Sequence, residues 1–250
     1  MKYLSGTFLF LLYHLTAIFF LAEAAAAPGL VIGRMKVTIM PEYDSRQVLV
    51  IYEGKFKDKD AFPSEALFIL PKEVTKLTDV CSLSPGGQHF CQLYEIKRKE
   101  DRSETVVKLP YPDFFVDFQY APFTPEPGKA RNFVFDLQPA YPVELLEVHI
   151  QKPYRSKNFL LSPASADLYE KRDFTYFRYK RNDIKNGEIL KFGISYLKDD
   201  DKPSVDIQFS PMAQPELMGA ERGGVLLVVG VVMLALLVST RFIRSKKREN

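Results

Sequence analysis

Leu190-Lys191-Phe192-Gly193-Ile194-Ser195-Tyr196 sets large apolar side chains at every second position, with Lys191, Gly193 and Ser195 between them. A period of two is what a strand with one buried and one wet face requires, whereas a helical stripe repeats every 3.6 residues. The same alternation runs through Val31, Gly33, Met35, Val37 and Ile39, through Val48, Val50 and Tyr52, and through Phe114, Val116, Phe118 and Tyr120. It returns at Leu146, Val148 and Ile150, which oppose Glu147 and His149, and at Val205, Ile207 and Phe209. This is the antiparallel-sheet pattern. Pro71, Pro110, Pro122, Pro139, Pro153, Pro163 and Pro211 each close an apolar run, as befits a residue that cannot donate to a strand ladder. Only Ser165–Lys171 offers a stretch for a turn or two of helix. The expected fold class is therefore all-β.

A weak internal repeat suggests how the strands are grouped. Phe68-Ile69-Leu70-Pro71 matches Leu160-Leu161-Ser162-Pro163, and Tyr94–Arg98 followed by Glu104–Leu109 matches Phe177–Arg181 followed by Glu188–Phe192. The reading is two tandem antiparallel β-sandwich (Ig-like) modules, residues 29–123 and 128–211, joined at Thr124-Pro125-Glu126-Pro127-Gly128. One continuous sandwich is the alternative architecture.

Both ends of the chain differ from this middle. Lys2, the apolar run Leu4–Leu21 and the small residues up to Ala27 have the three parts of a secretory signal, read as residues 1–26 with cleavage after Ala24 or Ala26. A retained signal anchor is the alternative, and on either reading the following residues are exported. Gly223–Thr240 carries no charge and, extended by Phe242 and Ile243, reads as a transmembrane helix over 223–243 behind a juxtamembrane linker, 212–222. Arg244, Lys246, Lys247 and Arg248 then mark 244–250 as a basic cytoplasmic tail, since burying one such charge costs about 2.5–3.5 kcal/mol on insertion scales. The expected location is a single-pass cell membrane, with the ectodomain in the periplasm or outside the cell. Five residues at Asn exist, none in an Asn-x-Ser/Thr sequon, which points to a prokaryotic cell envelope.

Composition excludes several functions. Of 250 residues, 34 are Lys or Arg and 31 Asp or Glu, a formal charge of +3 that falls close to neutral once the two ends are set aside. This is no nucleic-acid surface. With 46% hydrophobic residues, 20 Phe and 13 Tyr, the chain is not a disordered one either.

Little catalytic chemistry is written in the motifs. Cys81 and Cys91 flank Ser84-Pro85-Gly86-Gly87, a turn signal, and in an exported chain they read as a disulfide contributing about 2–3 kcal/mol. His89 as a third ligand beside them would make a metal site short of its usual complement, so no cofactor or metal is expected. There is no Gly-x-Ser-x-Gly and no phosphate-cradling glycine loop. Carboxylate pairs such as Asp113 with Asp117, or Glu126 with Asp136, are the remaining route to a hydrolase, which needs two carboxyls about 5–9 Å apart. Asp199-Asp200-Asp201 reads as a solvated hairpin tip.

Aromatic residues are left over. Tyr111–Phe123 and Phe174–Tyr179 place rings on both faces of a strand, and only one face is needed for a core. Tyr111, Phe115, Phe123 and Phe177 are the candidate partner-binding aromatics. The layout resembles many membrane-tethered envelope proteins, in architecture rather than by a family motif. It implies a non-catalytic binding or accessory protein presenting its modules to another envelope protein. An envelope polysaccharide-binding protein is the alternative, and a carboxylate-dependent hydrolase the second.

Overall fold

Along Asp113–Tyr120 the side chains alternate between half-buried and buried without a break, and along Ala130–Leu137 between exposed and buried. The same alternation recurs along Ser64–Pro71, Arg102–Leu109 and Leu190–Lys198. The computed structural model describes residues 29–164 and 167–205, so the signal, linker, transmembrane and tail readings lie outside the described residues, as do 206–211 of the second module. No helix among the described residues is long and apolar enough to cross a membrane.

The first half contains β1 (Ile32–Pro41), β2 (Val48–Phe56), β3 (Ser64–Pro71), β4 (Asp79–Leu83), β5 (His89–Cys91), β6 (Ile96–Arg98), β7 (Arg102–Leu109) and β8 (Asp113–Tyr120). The second contains β9 (Ala130–Leu137), β10 (Val143–Gln151), β11 (Ser156–Ser162), β12 (Asp167–Lys171), β13 (Phe174–Ile184) and β14 (Leu190–Lys198). Pro71, Pro110, Pro122, Pro139, Pro153 and Pro163 each fall at the last residue of a strand or within two residues of its end, and Pro211 lies outside the described residues. Ser165–Lys171 departs from the helical expectation. From Asp167 it is β12, paired antiparallel with β13, and Tyr169 stacks on Tyr176 with ring centroids 5.2 Å apart. Cross-strand pairing outweighs the weak local helical preference of so short a stretch.

The strands form three sheets. An eight-stranded sheet runs β12-β13-β10-β1-β2-β8-β4-β5, and two three-stranded sheets run β11-β14-β9 and β3-β7-β6. Each half of the chain supplies strands to the large sheet and one small sheet of its own. The halves are joined within the large sheet by the parallel pairing of β1 with β10, Val37 opposite Val148 and Ile39 opposite Ile150. Register carries one inner row, Tyr179, Val148, Val37, Tyr52, Val116 and Val80, across six strands. All six side chains are buried.

Ring contacts show the small sheets lying over that inner face. Phe68 of β3 meets Phe114 of β8 at 5.2 Å, Tyr120 meets Phe135 of β9 at 6.2 Å, and Tyr179 meets Phe192 of β14 at 5.2 Å. Gly54 is demanded by this packing. A Cβ there would sit 2.3 Å from Phe114 Cζ and 2.9 Å from the Arg34 carbonyl oxygen. In the sequence repeat, the first and last blocks fall on β3 with β7 and on β11 with β14, an antiparallel pair in each small sheet. The middle block does not follow, since Phe177–Arg181 lies in the large sheet and Ile96–Arg98 in a small one.

One end of the molecule closes over buried charge. Glu42, Arg131 and Lys198 are each 0–1% exposed. Glu42 accepts hydrogen bonds from Arg131 Nε (3.2 Å), Lys198 Nζ (3.0 Å) and Tyr196 OH (2.9 Å). Arg131 also donates to the carbonyls of Glu126, Lys129, Lys198 and Asp200. The last described residues dock on the same loop, with Ser204 and Val205 amides donating to the carbonyls of Glu42 and Tyr43. Burial, followed by the Glu42 charge, pushes the Tyr196 hydroxyl pKa far above its ordinary value. Glu42→Gln removes the counter-charge of buried Arg131 and leaves Lys198 only Asp200, 3.4 Å away, and losing one partner of a buried ion group costs about 3–5 kcal/mol. Chemical denaturation of the purified protein should show a drop of that order.

Candidate functional site

The outer face of the large sheet pairs charge with charge until it reaches its β5 margin. One register row reads Lys180, Glu147, Lys36, Glu53, Phe115, Cys81, Cys91. Lys36 bridges to Glu53, and Glu147 is held between Arg34 (3.0 Å) and Lys180 (3.3 Å). Burial opposes ionisation of Glu147, but those two cations prevail and hold its pKa below the usual carboxylate value. Burial, above all, lowers the pKa of its neighbour His149, whose Nδ1 shares a 2.5 Å hydrogen bond with the Tyr169 hydroxyl.

At the β5 margin the character changes. Cys81 and Cys91 face each other as cross-strand partners and form the disulfide, S–S 2.04 Å. The Ser84–Gln88 turn closes the hairpin, with the Ser84 amide donating to the Gln88 carbonyl at 2.9 Å and the Gly87 amide to the Ser84 carbonyl at 2.8 Å. Rings brace both faces of this tip: Phe90 lies 5.3 Å from Tyr111, and His89 lies 5.7 Å from Phe115. Tyr111 is fixed by its backbone, which both donates to and accepts from the Ser82 hydroxyl at 2.9 Å.

The loop that leaves the disulfide is also pinned. The Gln92 amide donates to the Val80 carbonyl at 2.8 Å, and the Tyr94 hydroxyl accepts from the Leu77 amide (3.0 Å) and donates to the Leu77 carbonyl (2.8 Å). Between these two anchors Leu93 is 99% exposed, with Phe90 at 39% and Tyr94 at 37% beside it in sequence.

Of the four aromatics singled out from sequence, Tyr111 and Phe115 belong to this end. Phe123 packs instead on Phe133 (5.4 Å), and Phe177 stacks on Phe159 (5.3 Å) between the large sheet and β11. The structure does not bring the four together. Phe90, Leu93 and Tyr94 escape a sequence reading based on ring clusters, although their place around Cys91, just past a turn, was a usable signal.

The carboxylates take separate stations. Asp113 pairs with Lys55 at 3.0 Å, Asp136 with Lys191 at 3.3 Å, and Glu126 with Lys129. Asp199, Asp200 and Asp201 each face their own cation, Lys157, Arg155 and Arg46. Asp117 stands opposite Asp79 in register, accepts the Asp79 amide at 2.5 Å, and is pushed up to about 6, mainly by burial. Asp79 also lies beside Cys81 and Cys91, whose sulfurs are bonded to one another rather than presented as thiolates.

No known protein family's sequence pattern matches this chain, and no characterised protein matches it in sequence. Among solved structures it is similar to an M1 zinc metallopeptidase from Deinococcus radiodurans, at 11% identity and a TM-score of 0.41, over 68% of this chain and 42% of that one. It is similar in the same degree to yeast LTA4 hydrolase in complex with bestatin, at 12% identity and a TM-score of 0.41, over 69% of this chain and 29% of that one. The chain thus spans less than half the length of either, and a likeness of this degree assigns it neither an activity nor a site.

Two expectations follow from the site. Because the folded pKa of Asp117 is raised, the native state holds its proton more tightly than the unfolded chain, so its burden on stability is absent below pH about 4 and complete above about 6. Asp117→Asn should therefore stabilise the protein relative to wild type at pH 7 and lose that advantage at pH 4, as read by denaturant titration at both pH values. Replacing both Cys81 and Cys91 by Ser should cost about 2–3 kcal/mol and expose the Phe90 and Tyr111 amides to faster hydrogen exchange.

Proposed function

We propose that this protein is a membrane-tethered, extracytoplasmic binding protein, non-catalytic, whose two Ig-like β-sandwich modules present a docking surface to another cell-envelope protein. The observation that carries the reading is the disulfide-braced end of the large sheet, where Phe90, Leu93 and Tyr94 are exposed on backbone tied down on either side. Preorganised apolar groups lose little entropy on association, which is the economy expected of a recognition surface. Asp113, Glu126 and Asp136 are each engaged by a lysine, which supports a binding role over hydrolysis by these three acids. Export through the N-terminal segment and anchoring by 223–243 give the disulfide its oxidising compartment.

Protease added to intact spheroplasts should digest the β-rich body and leave the basic tail, 244–250, protected. Digestion of the tail with the body spared would overturn the topology. Chemical crosslinking in native membranes should join the chain to one discrete partner, and a protein that stays monomeric and uncrosslinked would count against the binding role.

A further inference from the structure

We infer that the outer face of the β11-β14-β9 sheet is a self-association surface, and that its partner is a second copy of this chain related by a two-fold axis. The face lies on a different sheet from the partner-binding end proposed above and does not depend on that reading. Its registers place the side chains row by row. Ser162, Gly193 and Val134 share one row, Leu160, Ser195 and Asn132 the next, and Lys157, Leu197 and Ala130 the one after. On β9 and β14 these residues alternate with the buried Phe133, Phe135, Ile194 and Tyr196. The first two rows hold no charged residue, unlike the Lys180, Glu147, Lys36, Glu53 row of the large sheet. Within them Leu160 is 66% exposed and Val134 58%. At Gly193 the missing side chain leaves a depression of about 400 Å³, bordered by Val134, Leu160, Ser162 and Ser195.

A leucine knob and a glycine trough on one patch are self-complementary, which is the condition for a closed two-fold pair. Leu160 opposes Ser195 and Ser162 opposes Gly193, so Leu160 and Gly193 lie on one diagonal of a four-residue cell. A two-fold axis lying in the face and bisecting that diagonal puts each copy's Leu160 over the other's Gly193. On a grid with strands about 4.8 Å apart and alternate residues about 6.8 Å apart, that axis runs close to Ser162, Ser195 and Asn132. It also brings Val134 near Leu197 of the other copy, and Asp136 near Lys157. Apolar groups thus meet apolar groups, and the charged contact joins opposite signs. Three strands of this length present roughly 400 Å² of face, half of the ~800 Å² that each partner buries in a stable complex. The pair is accordingly weak and reversible, and covalent trapping is the way to read it.

Cys81 and Cys91 are the chain's two cysteines and are bonded to each other, so an introduced cysteine is its single free thiol. The test oxidises the full chain in native membranes with copper phenanthroline, carrying Ser195→Cys, Asn132→Cys or, as a control, Val106→Cys on the other small sheet, where the side chain is 47% exposed. The expected result is a disulfide-linked homodimer from positions 195 and 132, in a yield about tenfold above that from 106, which falls by about tenfold when Leu160→Asp is added. Leu160→Asp by itself should leave thermal unfolding unchanged, because most of that side chain is already in water. Equal yields from 195 and 106, no homodimer from either 195 or 132, indifference to Leu160→Asp, or capture of a different protein at 195 and 132 would each overturn the inference. None of these results bears on the disulfide-braced end, whose crosslinked partner is a separate measurement.

Discussion

Glu42 ties the segment after β1 to the β9–β14 pair, to which no sheet hydrogen bond connects it. Its carboxylate receives Arg131 at the start of β9 and Lys198 and Tyr196 at the end of β14, while its own carbonyl receives Ser204. The Arg131 guanidinium spends its remaining donors on four carbonyls, two of them in the segment between the halves of the chain. A buried ion group of this kind gives little net stability, because desolvation offsets most of its attraction. What it does is discriminate: any arrangement that leaves one member in place without the others strands a charge out of water. The closure of this end, and the path by which the chain leaves the β-rich body, both depend on that condition.

The large sheet illustrates how one register produces two unlike surfaces. Shifting by one residue along β1, from Val37 to Lys36, changes a row of buried aliphatic and aromatic side chains into a row of alternating charge. The inner row needs the small sheets above it, and Gly54 is small because Phe114 lies against its strand. The outer row needs no cover, since each ion finds its opposite across a strand. Where the row runs out of charge, at Phe115 and the disulfide, the protein has an apolar end that is braced rather than hidden.

Much of this was legible beforehand in particular residues. Phe114, Val116, Phe118 and Tyr120 declare their shared face by spacing alone, and Pro71, Pro110 and Pro163 mark strand ends because they lack an amide to give. Cys81 and Cys91 are separated by a turn signal that leaves them little choice of partner. Phe123 and Phe177 show where such reading stops: alternation assigns a side chain to a face but is silent on whether another sheet covers that face. Asp167–Lys171 shows the same limit, since its pairing with β13 outweighs any local preference. Leu93 carried no periodic signal at all, and its exposure comes from anchors on either side of it.

From the sequence by itself follow the all-β character, the positions of β1, β2, β8, β10 and β14 and the cysteine pairing, because each depends on forces acting over a few neighbouring residues. The tertiary structure alone decided that β1 runs parallel to β10, that one sheet spans both halves of the chain, and that Glu42, Arg131 and Lys198 meet. Those contacts join residues far apart along the chain, and their energy appears only when three sheets have been brought together and water has been driven from between them.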